Sequence, residues 1–401
     1  MENSTVATNE KVNKHIPNDL AFSIISKLPV KSLKRFGCVC KSWTILFENP
    51  HFMNIYRNNF ITKNISYCDD TFLLLQEIIS PFSREEHSVM HLLYGERFEN
   101  KVKIDLPPPF YEDGCDIRIL GSVSVNEIFC LSQRNNKFVL WNPTSKEFKV
   151  IPPSPIEYVP PYSDRFWDLH GFGYDHVRDD YKIIRQVVFY PLTESIYDSL
   201  GVERPLIWDK NAPLWEIYSL RSSSWKKLDV KLPYHILKIA CPRLYMDGMS
   251  HWYGANEETM TTESLVSFDW INEVFFTTPI PSYCKNRNPY FELVHLIMLN
   301  GSVAFISNYV ESTIFHISIL GELGVKESWT NLFTVDILPS IEHPIEPEEK
   351  NIIFFERKRE GLSWFNLNAQ IIEELTVKGQ RVRHEVAIYK RNLLHIGRLN
   401  D

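Results

Sequence analysis

The stretch FVLWNPTSKEFKVI, residues 138–151, decides the fold. An apolar run from Phe138 to Trp141 meets a polar turn, and a second run returns from Phe148 to Ile151, which is the pattern of a tight hairpin. The layout recurs as WEIYSLRSSSWKKLDV (215–230), LVSFDWINEVFFTTPI (265–280), TIFHISILGELGVKESWTNLF (313–333) and GLSWFNLNAQIIEELTV (361–377). In three of these units another pair of short runs stands in front: GFGYD with YKIIRQVVFY, LYMDG with SHWYGA, and HLIML with SVAFISN. The unit therefore has four strands, and the chain from about residue 66 onward is a set of internal repeats.

Aligning Trp141, Tyr218, Phe268, His316 and Phe365 gives intervals of 77, 50, 48 and 49 residues. Three of the four match the roughly 50-residue period of kelch-type propeller blades. The excess in the first is assigned to Pro152–Tyr162 and to the loop from Pro191 to Pro213, both rich in breakers. Strand-like runs left over at both ends, 72–79, 88–94 and 102–106 before the repeats and 385–389 or 393–396 after them, supply a sixth unit. A blade made from both ends would close the ring and remove free sheet edges. The expected fold class is α+β, mainly β: a propeller-like domain of about six blades, with a twisted β-sandwich as the alternative. Trp141, Trp225, Trp329 and Trp364 are expected to fill gaps between blades, and Gly171, Gly173, Gly248 and Gly301 to serve turns or close strand approach.

The amino-terminal segment reads differently. Leu20, Ile24 and Leu28 form an i, i+4, i+8 row flanked by Ala21 and Ile25, with Pro17 suited to a helix start and Pro29 ending that helix about three turns later. A second run, Leu33, Phe36, Val39, Cys40, Trp43, Leu46 and Phe47, again repeats at three and four residues. About forty residues cannot enclose so many large apolar side chains, so part of the stripe is expected to meet another surface.

These residues carry a resemblance. IPNDLAFSIISKLPVKSLKRFGCVCKSWTILFENPHF resembles an F-box, with Ile16 where that family more often has Leu. The resemblance implies a three-helix module that binds the Skp adaptor of a cullin-based ubiquitin ligase through Ile16, Pro17, Leu20, Ile24, Leu28, Leu33, Phe36, Val39, Cys40 and Trp43. LWNPTSKEFKVIPPSP, GFGYDHVRDDYKIIR, WEIYSLRSSSWKKLD and GVKESWTNLF resemble the F-box-associated interaction domain of a large plant F-box family. One motif departs from it: Gly121 to Phe129 stands where the family commonly has Gly-Leu-Leu. The implied organisation is a flexible amino terminus (1–14), an F-box (15–60) and a propeller-like interaction domain (66–398). The implied function is substrate recognition in a Skp–cullin–F-box ligase, and the alternative is a scaffold or regulator that uses the F-box outside ubiquitin transfer. Target contacts are expected in loops 152–165, 190–211 and 256–262, where length varies.

Composition limits the other classes. Of 401 residues 44% are hydrophobic and 13% aromatic, ample for a core. Residues 1–60 hold eight Lys or Arg against four Asp or Glu, about +4, which leaves 35 against 46, about −11, for the remainder. That acidic remainder argues against nucleic-acid binding. Apolar runs fall short of the roughly 18 residues of a membrane helix, and the polar start lacks a secretory h-region, so a cytoplasmic or nuclear protein is expected. Seven scattered cysteines fit reduced thiols, with neither zinc spacing nor a disulfide framework. No cofactor or metal is expected. His384-Glu385 lacks the second His of a zinc-protease motif because position 388 is Ile, and no nucleophile elbow or phosphate loop is present. The acidic pairs Asp69-Asp70, Asp179-Asp180 and Glu257-Glu258 are read as solvated turns. A non-catalytic chain follows.

Overall fold

A computed structural model of the chain describes residues 18–28, 32, 45, 49, 52, 71–79, 87–95, 98–110, 117–133, 137–155, 163–191, 214–230, 232, 234–236, 244–256, 263–281, 292–299, 301–309, 314–336, 341–345, 352–357, 361–367, 369, 371–374 and 382–390. It divides into two compact units, Met1–Lys63 and Asn64–Asp401.

In the first unit the helix α1 spans Asn18–Ile25. It ends four residues before Pro29, shorter than the three turns expected. Its last turn tightens, with Lys27 N–H donating to Ile24 O and Leu28 N–H to Ile25 O, both at 3.1 Å. The residue before a proline disfavours the α region, and the tightening begins just upstream of it. Eight residues do not hold a helix in water alone. Packing does: Ile25 and Ser26 are buried, and Phe22 meets the fully buried Phe52 edge to face at 5.1 Å.

Among the described residues the second unit is mostly strand. In chain order the strands are β1 (Thr71–Ile79), β2 (His87–Tyr94), β3 (Asn100–Ile104), β4 (Ile117–Val125), β5 (Ile128–Gln133), β6 (Lys137–Trp141), β7 (Phe148–Ile151), β8 (Ser163–Asp175), β9 (Asp180–Pro191), β10 (Leu214–Ser219), β11 (Ser224–Leu228), β12 (Tyr234–Ile236) and β13 (Leu244–Met246). There follow β14 (Met249–Asn256), β15 (Glu263–Asp269), β16 (Val274–Pro279), β17 (Glu292–Leu299), β18 (Ser302–Tyr309), β19 (Ile314–Leu320), β20 (Trp329–Asp336), β21 (Ile341–Ile345), β22 (Ile352–Arg357), β23 (Gly361–Asn366), β24 (Ile371–Glu374) and β25 (Val382–Lys390).

They fall into six antiparallel groups. Blade 1 is β25-β1-β2-β3, blade 2 is β4 to β7, blade 3 is β8 to β11, blade 5 is β17 to β20 and blade 6 is β21 to β24. Blade 4 runs β14-β15-β16, with its first strand split into β12 and β13 against opposite ends of β14. The carboxy-terminal β25 pairs with β1 from Thr71↔Lys390 to Ile79↔Val382, so one blade is made from both ends of the unit. A single parallel bridge, Ile388↔Val123, joins it to blade 2. The first strands then follow one another in a closed cycle: β4 packs on β8, β8 on β14, β13 and β14 on β17, β17 on β21, and β21 on β25. This is the blade arrangement of a β-propeller rather than the facing sheets of a sandwich.

In blades 2 to 5 a buried residue at or next to the end of the third strand pairs with one at or next to the start of the fourth: Trp141↔Phe148, Tyr218↔Trp225, Phe268↔Phe275 and Leu320↔Trp329. Register thus corrects the alignment, because Leu320 and not His316 is the blade 5 counterpart. The intervals become 77, 50, 52 and 45. The residue after the anchor ties the turn. Asn142 Oδ1 accepts from Thr144 N (2.9 Å) and Ser145 N (3.1 Å), Asp269 Oδ1 from Ile271 N (2.8 Å) and Asn272 N (3.0 Å), and Asn366 Oδ1 from Ala369 N (2.9 Å). Five residues past the first three anchors Lys146, Ser223 and Glu273 take positive φ of 61°, 49° and 56°. Blade 5 has Gly321 in the capping position and a longer loop, with a 3₁₀ turn at Lys326–Ser328, tied instead by Ser328 Oγ.

The excess before Tyr218 is also partly relocated. The hairpin β8–β9 is the longest in the unit, so Ser163–Arg165 and Tyr190–Pro191 lie in strands and not in loops. The tryptophans do not share one position: Trp141 and Trp364 sit on third strands, Trp225 and Trp329 at the start of fourth strands. Trp225 Nε1 donates to Pro152 O (2.8 Å) and Trp329 Nε1 to Pro279 O (3.1 Å), so these two tie each blade to the one before it. Gly171 and Gly173 mark close approach. A Cβ on Gly171 would stand 2.7 Å from the Trp252 ring, and one on Gly173 would fall inside the contact surface of the Trp270 ring. Gly173→Ala is therefore expected to cost about 3 kcal/mol through overpacking. Gly301→Ala faces open space at φ +70° and should cost only about 1 kcal/mol. Urea unfolding of the two variants measures the difference, and equal costs would contradict this packing.

Candidate functional site

On α1 the side chains part into two apolar faces. Ile25 is buried and Phe22 half-buried on the inner face, while Leu20 and Ile24, one turn apart, are 57% and 55% exposed. Leu28 is half-buried. Ile45, which the periodic reading passed over, is 69% exposed. The other implied adaptor contacts, Ile16, Pro17, Leu33, Phe36, Val39, Cys40 and Trp43, lie outside the described residues. An i, i+4 pair of large aliphatic side chains facing water forfeits about 1.5–3 kcal/mol each that burial would supply.

Strand direction sorts the connections of the second unit onto two faces. Connections from first to second strand and from third to fourth share one face, and in blades 2 to 4 they are short: 126–127, 142–147, 176–179, 220–223, 247–248 and 270–273. Connections from second to third strand and from blade to blade share the other. The candidate target loops all belong to this second face: 152–165 leads from blade 2 to blade 3, 190–211 joins β9 to β10, and 256–262 joins β14 to β15. Residues 156–162, 192–211 and 257–262 lie outside the described residues.

Between blades the polar side chains are committed to structure. Arg185, fully buried, ion-pairs with Glu216 (Nε–Oε2 3.0 Å) and lies 4.4 Å from the Trp225 ring centroid, while Ser154 Oγ donates to Glu216 Oε1 at 2.7 Å. This group ties blade 2 to blade 3. Lys182, also buried, donates to Asp175 Oδ2 (2.8 Å), Trp270 O (3.0 Å) and Glu273 Oε1 (3.0 Å), and Glu273 also pairs with Lys226. That group ties blade 3 to blade 4. Burial pushes the Asp175 carboxyl up, but hydrogen bonds from Lys182, the Arg178 side chain and the Arg178 N–H outweigh it and hold the pKa down at about 2. The same balance, with Lys226 and Lys182 opposing burial, lowers Glu273.

Of the acidic pair read as a solvated turn, only Asp179 is exposed. Asp180 is buried and accepts from Ser219 Oγ (2.6 Å) and Arg221 N (2.8 Å). Asp69-Asp70 and Glu257-Glu258 lie outside the described residues. The sequence reading missed Lys182 and Arg185, although both stand inside the otherwise apolar run YKIIRQVVFY, and a cation there needs a buried partner. Among the described residues no three His, Cys, Asp or Glu gather closely enough to hold a metal ion, and no helix is long and apolar enough to cross a membrane. His384-Glu385 lies in β25. Cys130 is wholly buried in β5, and the other six cysteines fall outside the described residues.

The comparisons with known proteins agree with this division. The F-box domain pattern matches residues 14–54, and the F-box associated beta propeller domain matches residues 84–396. The chain belongs to the F-box-associated β-propeller family. It is 25% identical over 379 residues to F-box protein CPR1 of Arabidopsis thaliana, covering 90% of this chain and 84% of that protein. F-box/WD-40 repeat-containing protein 1 and F-box only protein 8, from the same plant, are each 25% identical across 82% and 69% of this chain and 71% and 84% of their own lengths. Among solved structures the sialidase Hz136 matches at a TM-score of 0.41 and 12% identity, over 66% of this chain and 59% of that one, too slight a likeness to carry chemistry.

Two acid-sensitive groups give a pH signature. Burial holds His251 down at about 4, against 6.5 ordinarily, while its Nδ1 meets Ser267 Oγ at 2.8 Å. The unfolded chain therefore takes up this proton first, and stability falls as pH drops from about 6.5 to 4. Asp175, depressed below its ordinary 3.8, contributes stability above that value that is lost as pH falls through about 2. In urea unfolding across pH, His251→Gln should flatten the upper window and Asp175→Asn the lower one, the latter from a lower baseline because buried Lys182 loses one of its two carboxylates.

Proposed function

We propose that this chain is the substrate-recognition subunit of a Skp–cullin–F-box ubiquitin ligase, acting without catalytic groups of its own. The observation that carries the reading is the outward row of Leu20 and Ile24, inside the segment that matches the F-box and ahead of a propeller that matches the F-box-associated domain. F-box domains generally bind Skp adaptors, and a row at i, i+4 is the form in which a helix offers anchors to a partner's groove. In this reading Ile16, Pro17, Leu28, Leu33, Phe36, Val39, Cys40 and Trp43 complete the adaptor contact. The loops 152–165, 190–211 and 256–262 grip the target. Chemistry is positional, since holding a target beside a ubiquitin-loaded enzyme raises the effective concentration of its lysines. The reading places the chain in the cytosol or nucleus, where that machinery works.

Because Leu20 and Ile24 face water, aspartate can replace both without entering the core. The L20D/I24D chain should keep its thermal melting profile and lose capture of a Skp-type adaptor in pull-down. Full capture by the double variant would overturn the proposal.

A further inference from the structure

The outer edges of the six blades are formed by β3, β7, β11, β16, β20 and β24. An edge strand offers its free main-chain N–H and C=O groups to any other strand, and a charged side chain on it is the usual guard. β3 carries Lys101 and Lys103, β7 carries Lys149, β11 carries Lys226 and Lys227, and β24 carries Glu373 and Glu374. β20 ends on Asp336 and turns polar Asn331 and Thr334 outward. β16 is different. Its sequence VFFTTP holds no charge, among the described residues it pairs only with β15, and Val274 and Phe276 are 41% and 42% exposed.

The apolar surface continues past the strand. Val274, Phe276 and Thr278 alternate onto one face of β16, and Thr278 Oγ1 accepts from the Gly324 N–H of blade 5 at 2.7 Å. Leu323 and Val325, on either side of that glycine, are exposed as well. Trp329 Nε1 donates to Pro279 O at 3.1 Å and fixes the end of the strand on blade 5. Charge beside the strand is balanced: Glu273 is held by Lys182 and Lys226, and Lys326 stands next to Glu327 in the blade 5 turn.

We propose that β16 is a self-association edge, through which two copies of this chain pair antiparallel about a two-fold axis and join their fourth blades into one sheet. The charge pattern selects this occupant. A strand that pairs with its own copy sets its side chains against their own kind, so the lysines of β3, β7 and β11 and the glutamates of β24 would repel, while β16 brings no like charges together. With the axis at Phe275, Val274 lies opposite the partner's Phe276, and Thr277 opposite the partner's Glu273. Both outward apolar residues are then covered, and the free edges satisfy one another. Each dimer carries two sets of the candidate target loops, so a target with two binding segments is held at both. The interface does not rest on the ubiquitin-ligase reading.

Sedimentation velocity of the full chain over a concentration series tests this. The parent should shift from monomer to dimer as concentration rises. V274K/F276K changes only exposed positions and should keep the parent's melting profile, yet its dimer dissociation constant should rise about tenfold or more, because like charges replace two apolar cross-strand pairs. V274E/F276K should recover much of the loss, since each introduced lysine then faces an introduced glutamate of the other copy, a result that only this register gives. The L20D/I24D chain should associate as the parent does, which separates this edge from the adaptor surface. A parent that stays monomeric throughout, a V274K/F276K chain that dimerises as tightly as the parent, or equal behaviour of V274K/F276K and V274E/F276K would overturn the proposal.

Discussion

The pairing of β1 with β25 is the constraint on which the propeller depends. Nine residue pairs, Thr71↔Lys390 to Ile79↔Val382, join the two ends of a unit more than three hundred residues long. Closing a loop of that length costs about 5 kcal/mol in chain entropy. The apolar side chains of the two strands offset it: Leu73, Leu74, Leu75, Ile78, Val386, Ala387, Ile388 and Tyr389 are all buried. Without this clasp the β25 strand would have no antiparallel neighbour, blade 1 would lose its innermost strand, and β4 would present an open edge.

Apolar packing alone does not distinguish one blade from another, because each interface presents much the same aliphatic and aromatic surface. The polar contacts differ at each joint where the described residues show them. Gln76 Nε2 reaches Ile117 O at 2.6 Å between blades 1 and 2, Trp225 Nε1 meets Pro152 O at 2.8 Å between 2 and 3, Lys182–Asp175–Glu273 joins 3 to 4, and Gly324 N–H meets Thr278 Oγ1 at 2.7 Å between 4 and 5. Buried ion pairs add little net stability over apolar replacements, yet a misplaced blade would leave them uncompensated at several kcal/mol each. They select the order of blades rather than hold the ring together.

Much of this was legible in the sequence, for a physical reason. A four-stranded blade repeats its hairpin chemistry, so Trp141, Tyr218, Phe268 and Phe365 could be found from the polar turn after each. Blade 5 was misread because Gly321 replaces the capping Asn, Ser or Asp and an eight-residue loop follows, so that period alone favoured His316 over Leu320. The close approach at Gly171 and Gly173 was foreseen as a type of role, whereas its partners Trp252 and Trp270 come from the neighbouring blade and no local pattern names them. Asp180, Lys182 and Arg185 were hidden for the same reason, since their partners lie on other strands and blades. On α1 the period located the row, and only three dimensions divide it into Phe22 and Ile25 facing inward and Leu20 and Ile24 facing out.

The division of the propeller into two faces follows from the same turn chemistry. In blades 2 to 4 side-chain caps and positive-φ positions confine the first-to-second and third-to-fourth connections to a few residues, and such turns tolerate neither insertion nor most substitutions. Length accumulates in the other connections, as between β9 and β10. A surface of long loops can change its partner without cost to the ring.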